Sequence, residues 1–118
     1  MQYIIKIATD GRVRPIPFDN GAISYSELEP YTGTKAPVFF PCGMADGLFT
    51  AASANERENR VNITASIITN QFTKIYGDAC ILRLKGDAAT GFDFETADFL
   101  RKYIIAVSLY ALEESGKK

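Results

Sequence analysis

Apolar and polar side chains alternate in the first part of the chain, in two runs, QYIIKIA and RVRPIPF, on either side of Asp10-Gly11. Asp-Gly between apolar runs is a strong signal for a β-hairpin, because both turn positions favour a positive φ. Pro15 and Pro17 have no N–H to donate, so the second strand must lie at an edge of its sheet or end early. The pattern predicts a hairpin over residues 2–17.

Two further apolar runs, 37–42 (PVFFPC) and 48–52 (LFTAA), flank the loop 43–47, which begins and ends with glycine. This arrangement predicts a second hairpin. Residues 79–84 (ACILRL) form an apolar run of strand length, and the preceding residues 76–78 (YGD) are typical of a break in regular structure.

Residues 61–73 (VNITASIITNQFT) fit two patterns. Alternation in the first half and the many β-branched residues favour a strand. Apolar residues also recur at helical spacing, and the length of the segment and Asn59 as a cap favour a helix. We expect a helix, with a strand as the open alternative.

A long C-terminal helix is predicted to begin after Asp93, a good N-cap residue that follows a loop over residues 85–91. Its apolar stripe comprises Phe99, Leu100, Tyr103, Ile104, Val107, Tyr110 and Ala111. A further apolar face is formed by Ile105, Leu109 and Leu112. One buried stripe does not need this second face, which predicts either burial between layers or a homodimer. Residues 113–118 are expected to fray.

These elements predict one α+β domain over residues 1–118: a mostly antiparallel sheet of about five strands, built from two hairpins and a later strand. A long C-terminal helix and one or two shorter helices are expected to cover the sheet, packed on one face. A chain of 118 residues can bury a core of its own.

The net charge is −1, from thirteen basic and fourteen acidic residues that are interspersed along the chain. Nucleic-acid binding usually requires a basic excess or a basic stripe, so it is disfavoured. The longest apolar run, residues 103–112, is too short to span a bilayer, and the N-terminal residues do not resemble a signal peptide. We expect a soluble, cytoplasmic protein.

The chain has no histidine, which removes the commonest general base and the Ser-His-Asp and Cys-His arrangements. It also lacks a glycine-rich phosphate-binding motif. Cys42 and Cys80 lie in apolar runs, where burial raises the pKa of a thiol; whether they lie close enough to pair is open. We therefore predict a protein that is not an enzyme and has no cofactor or metal.

Planar hydrogen-bonding groups are concentrated where the predicted helix of residues 61–73 begins, and such a helix start can hold an anion. A tyrosine near a turn can anchor a partner through its ring and its polar tip. The candidate contact residues for a partner are Arg57, Asn59, Arg60, Asn62, Tyr76 and Asp78.

The order of the elements carries a resemblance. A short hairpin, a small helix and a strand pair precede an asparagine–arginine segment that leads into Asn62, Thr64 and Ala65, and a Tyr-Gly-Asp step at 76–78 comes before an apolar strand. Over about residues 2–100 this order resembles a family of small domains of unknown function in bacteriophages, plasmids and other mobile elements. The family usually has a tighter, glycine-led turn before its last strand.

The resemblance implies an accessory factor that binds and blocks a host defence component, such as a CRISPR effector or a restriction enzyme, in the host cytoplasm. The positions that match the shared pattern are Asn59, Arg60, Asn62, Thr64 and Asp78, and the resemblance attaches no activity to them. The residues themselves support an alternative, a small-ligand or nucleotide-binding regulatory domain that uses the segment 57–62.

Overall fold

The computed structural model describes residues 1–19, 21–45, 47–54, 60–69, 74–86 and 88–116, with the backbone alone at 85 and 111–116. The strands are β1 (Gln2–Ile7), β2 (Val13–Phe18), β3 (Val38–Pro41), β4 (Leu48–Ser53), β5 (Tyr76–Lys85) and β6 (Ala88–Thr90). The α-helices are α1 (Glu29–Thr32), α2 (Ile63–Thr69) and α3 (Phe94–Gly116). A 3-10 turn at Tyr25–Leu28 directly precedes α1.

The predicted α+β class is confirmed. Across the described residues the strands form one antiparallel sheet with the order β2-β1-β5-β4-β3, and β6 pairs with β5 outside this path. The sheet therefore has six strands where about five were expected. The sixth is β6, because the chain turns at Gly86 (φ 64°) and Ala88–Thr90 pairs back onto β5, where only a loop was predicted.

The first predicted hairpin is formed by β1 and β2, and its loop closes where the Ala8 N–H donates to the Arg12 carbonyl (2.9 Å). Gly11 has a φ of 92°, whereas Asp10 does not have a positive φ. The expectation of two such residues was wrong: this loop is longer than a two-residue turn, so one left-handed position closes it.

Proline is present at both edges of the sheet. β2 is an edge strand, as Pro15 and Pro17 predicted, and the opposite edge strand, β3, ends at Pro41. The second predicted hairpin is the pair β3–β4.

The central strand β5 is buried on both faces, since four consecutive residues, Ala79–Leu82, are fully inaccessible. Successive side chains of a strand point to opposite faces, so both faces need cover. On one face α2 and α3 pack over a core that includes Ile5 and Ile81, as expected for the longer helices. On the other face Leu28 of the 3-10 turn packs over Ile4 and Leu82.

The ambiguous segment is helical over Ile63–Thr69, and residues 70–73 lie outside the described residues. The Ala65 N–H donates to Asn62 Oδ1 (3.0 Å), so Asn62 caps this helix. Asn59, the expected cap, lies outside the described residues.

The predicted break at residues 76–78 lies inside β5. Gly77 has a φ of 76°, and the pairing of β4 with β5 shifts in register between Ala51 and Ser53, so the irregularity is a bulge rather than the end of a strand. At the C-terminus α3 continues to Gly116, beyond the point where fraying was expected.

The buried side of α3 differs from the predicted stripe. Over residues 94–110, whose side chains the structure describes, the buried residues are Ala97, Leu100, Ile104 and Ser108. Leu100 and Ile104 of the predicted stripe are among them, whereas Phe99 is 67% exposed and Tyr110 is 66% exposed. Ala111, the last residue of the stripe, lies outside the described side chains. No helix among the described residues has the length and apolarity needed to cross a membrane.

Candidate functional site

The candidate residues come together where the segment at residue 60 meets the start of β5. The Gly77 N–H donates to the Arg60 carbonyl (2.7 Å), and Val61 forms an isolated β-bridge with Tyr76. These backbone contacts bring Arg60 close to Tyr76 and Asp78. Arg57 and Asn59, the other two residues of the predicted segment, lie outside the described residues.

Asn62 holds the fold together and does not face a partner. Its side chain is fully buried, and its Nδ2 donates to the carbonyls of Ile7 and Gly77 (2.9 Å each). With the cap to the Ala65 N–H, one amide side chain joins β1, β5 and α2. The structure therefore removes Asn62 from the surface candidates, because its hydrogen-bonding groups are used inside the protein.

An anion at the start of this helix is also not supported. The described part of α2 has seven residues, and Asn62 Oδ1 occupies the position where an anion would accept a hydrogen bond. The Ser66 N–H and hydroxyl both bond to the Asn62 carbonyl, at 3.0 and 2.7 Å.

Asp78 connects β5 to the first hairpin. Its Oδ1 accepts a hydrogen bond from the Thr9 N–H (3.0 Å), and its Oδ2 lies 3.6 Å from Lys6 Nζ. The Lys6 side chain is only 16% exposed, so this ion pair is partly shielded from water. Asp78 is thus held in place by two partners, and its charge is balanced.

Arg60 and Asp78 line a surface cleft of about 310 Å³, which we call the Arg60 cleft. Its other walls are Thr9 at the hairpin loop and the end of α1, including Thr32 and Gly33. Arg60 is exposed, and its side chain has no hydrogen bond or ion pair with any other described residue. Among the described residues, the cleft therefore combines an Arg60 side chain that has no partner with the fixed carboxylate of Asp78.

Tyr76 lies beside this cleft without lining it. It is half-buried at the first position of β5, between Val61 and the pairing with Ser53. Of the six candidate residues, the cleft brings together Arg60 and Asp78, with Tyr76 next to them.

Sequence reasoning missed Lys6 and Thr9. The hairpin pattern contained the signal for Lys6, because alternation puts Lys6 on the face opposite Ile5 and Ile7. The contact of Thr9 with Asp78 depends on how β1 pairs with β5, which the local pattern does not determine.

The two cysteines are free thiols in the core. Burial raises the pKa of the Cys80 thiol to about 12, and burial likewise raises the pKa of Cys42. Both are therefore poor nucleophiles at neutral pH. Among the described residues, no three His, Cys, Asp or Glu side chains are grouped so that they could hold a metal ion.

No protein-family model, curated protein or solved structure matches this chain.

Proposed function

We propose that this chain is a non-enzymatic, protein-binding accessory factor of a phage or other mobile element, and that the Arg60 cleft is its contact site. One observation carries the proposal: the fold brings Arg60 and Asp78 to the same open cleft and leaves the Arg60 guanidinium without a partner among the described residues.

The composition of the site suits a protein contact. Arginine and tyrosine are enriched among the residues that dominate binding energy at interfaces. Asp78 is held by Lys6 and by the Thr9 N–H, so it loses little side-chain freedom when a partner binds. Arg60 can form a bidentate pair with a partner's carboxylate.

The partner class follows from the resemblance to small mobile-element domains. We propose a host defence protein, such as a CRISPR effector or a restriction enzyme, bound and inhibited in the host cytoplasm. Thr64 and Asn59 also match the shared pattern; Thr64 is buried in α2, and Asn59 lies outside the described residues.

The test is capture of binding proteins from host lysate with tagged wild-type protein, Arg60→Ala and Lys102→Ala, read by quantitative mass spectrometry. Lys102 is an exposed cation on α3 that does not line the cleft, so its variant removes the same charge elsewhere. We expect one dominant defence protein with the wild type and Lys102→Ala. Loss of a central arginine contact costs about 2 kcal/mol or more, so Arg60→Ala should recover far less. An empty capture, or one that Arg60→Ala leaves unchanged, would contradict the proposal.

A second candidate function, a small-ligand or nucleotide-binding regulatory domain, is supported by the volume of the same cleft. About 310 Å³ lies at the lower end of the range for small-molecule sites, roughly 300–1,000 Å³.

The test of this second function is a thermal melt of the wild type and Arg60→Ala with a panel of nucleotides. A ligand that binds only the folded state raises the melting temperature, and Arg60→Ala should abolish that shift. If no nucleotide moves the wild-type melting curve, this function is excluded for the panel.

A further inference from the structure

The outward side of α3 carries an aromatic seam, which we define as Phe99, Tyr103, Ala106 and Tyr110. All four residues are exposed, with Tyr103 at 46% and the other two rings at 66–67%. The rings of Phe99 and Tyr103 stack, with centroids 6.4 Å apart and an interplanar angle of 18°. Large apolar side chains grouped in this way on a surface mark an interaction site.

The spacing of the seam fits a helix–helix contact. Its members follow one another at intervals of four, three and four residues. These intervals are the a and d positions of a heptad, whose side chains interlock with those of a facing helix. The helix's own core residues, such as Leu100 and Ile104, lie on a different side, so among the described residues the seam is not part of the core.

We propose that the seam packs against the same seam of a second copy of this chain, with the two helices antiparallel. A two-fold axis between Tyr103 and Ala106 places Tyr103 opposite the partner's Ala106, and Phe99 opposite the partner's Tyr110. Large residues then face a small one at the centre, as close packing requires. A parallel pair would instead set tyrosine against tyrosine and leave a gap between two alanines.

The charges beside the seam do not oppose this approach. Asp98 accepts from Arg101 (2.9 Å) and pairs with Lys102 (2.9 Å), and together with the exposed Glu95 these two carboxylates and two cations carry no net charge. Helix dipoles also favour an antiparallel arrangement, because each positive end lies beside a negative end.

The exposed area indicates a reversible dimer. An aromatic side chain contributes about 200 Å², so the exposed parts of the three rings give on the order of 350 Å² per copy. A standard interface buries about 800 Å² per partner. The seam alone supplies roughly half of that amount, so we expect association that depends on concentration, with a Kd on the order of micromolar.

Sedimentation equilibrium of the full chain tests the seam. Wild-type protein, Ala106→Glu and Leu109→Glu are compared over about two decades of concentration around the expected Kd. Leu109 is 63% exposed at the edge of the seam, at the heptad g position, and belongs to the face first predicted for a dimer, so Leu109→Glu places the same charge at the edge of the contact instead of its centre. We expect the wild type and Leu109→Glu to dimerise and Ala106→Glu to stay monomeric, all with the same helix content by circular dichroism.

A monomeric wild type overturns the inference, and so does a dimer that Ala106→Glu does not weaken more than Leu109→Glu does.

The orientation of the two helices has its own test: Tyr103→Cys and Ala106→Cys chains are mixed and oxidised. An antiparallel pair joins the two different chains preferentially, whereas a parallel pair joins each variant to itself and overturns the proposed arrangement. The native thiols are buried and do not compete. If the wild type is monomeric and Ala106→Glu loses a captured host protein, the seam belongs to that protein instead.

Discussion

Asn62 and the outer side of α3 depart from the usual distribution of polar and apolar residues in opposite directions. Asn62 is a polar side chain with no exposed surface, whereas Phe99 and Tyr110 are large apolar side chains that are about two-thirds exposed. Burial of Asn62 is stable because its amide group meets two carbonyls and one N–H. Phe99 stacks on Tyr103, but neither Phe99 nor Tyr110 is buried against other described residues. The comparison teaches that a buried polar group points to the fold, whereas exposed rings point outward to another molecule.

The largest expected effect separates the two sides of α3. Ile104→Ala removes a fully buried side chain next to the sheet and should lower the free energy of unfolding by about 2–5 kcal/mol. Phe99→Ala, one turn away on the outer side, should change it by less than about 0.5 kcal/mol. Urea denaturation of both variants at low protein concentration measures the difference. Equal losses would mean that the outer rings also support the folded monomer.

A somewhat smaller effect is expected at Asn62. Asn62→Ala leaves the carbonyls of Ile7 and Gly77 and the Ala65 N–H without this partner, so the free energy of unfolding should fall by about 2–4 kcal/mol. Asn62→Asp keeps the cap but cannot donate to the two carbonyls, and it buries a charge, so it should not restore stability. Urea denaturation measures both; a loss below about 0.5 kcal/mol for Asn62→Ala would show that the amide can be replaced.

The smallest expected effect is a pH-dependent change in Tm, and it distinguishes the cap of α3 from the cap of α2. Asp93 Oδ1 accepts from the Thr96 N–H (2.7 Å), and the hydrogen bonds from Thr96 lower the pKa of this exposed carboxyl. Because the folded-state pKa lies below the unfolded one, the stabilisation is present at neutral pH and is lost as pH falls through the folded-state pKa. The gap in Tm between the wild type and Asp93→Ala should therefore close in acid.

Thermal melts from neutral pH into the acid range measure this gap. Asn62→Ala is the control, since a neutral amide does not titrate and its gap to the wild type should stay open. A gap for Asp93→Ala that is constant over the same range would contradict the assignment of the cap to the ionised carboxyl.

Local patterns determined much of the fold. The hairpins β1–β2 and β3–β4 were predictable because each places two apolar runs on either side of a glycine-containing turn. The strand β6 was not predictable, since Ala88–Thr90 has little intrinsic preference for a strand and is one only because β5 offers a pairing edge. In α3 the apolar residues extend almost all round the helix, so periodicity could not show that Ala97 faces the core and Phe99 does not.

The candidate site was predictable in part. Arg60 and Asp78 could be named from residue type, but their meeting at one cleft depends on the bond from the Gly77 N–H to the Arg60 carbonyl, which joins distant parts of the chain. Asn62 was misplaced because it closely follows the polar and charged segment 55–60. Its burial results from three bonds to separate elements, and no local pattern encodes such a convergence.

The prolines at the two sides of the sheet affect how copies of this protein can meet. Pro15 and Pro17 in β2 and Pro41 in β3 interrupt the rows of N–H donors that an added strand would need. Native sheets polymerise into fibres when the outer strand of one molecule templates the next, and this route is obstructed on both sides here. The prolines disfavour the addition of a second molecule's strand at either edge of the sheet. Contact between two copies is therefore expected through the helices.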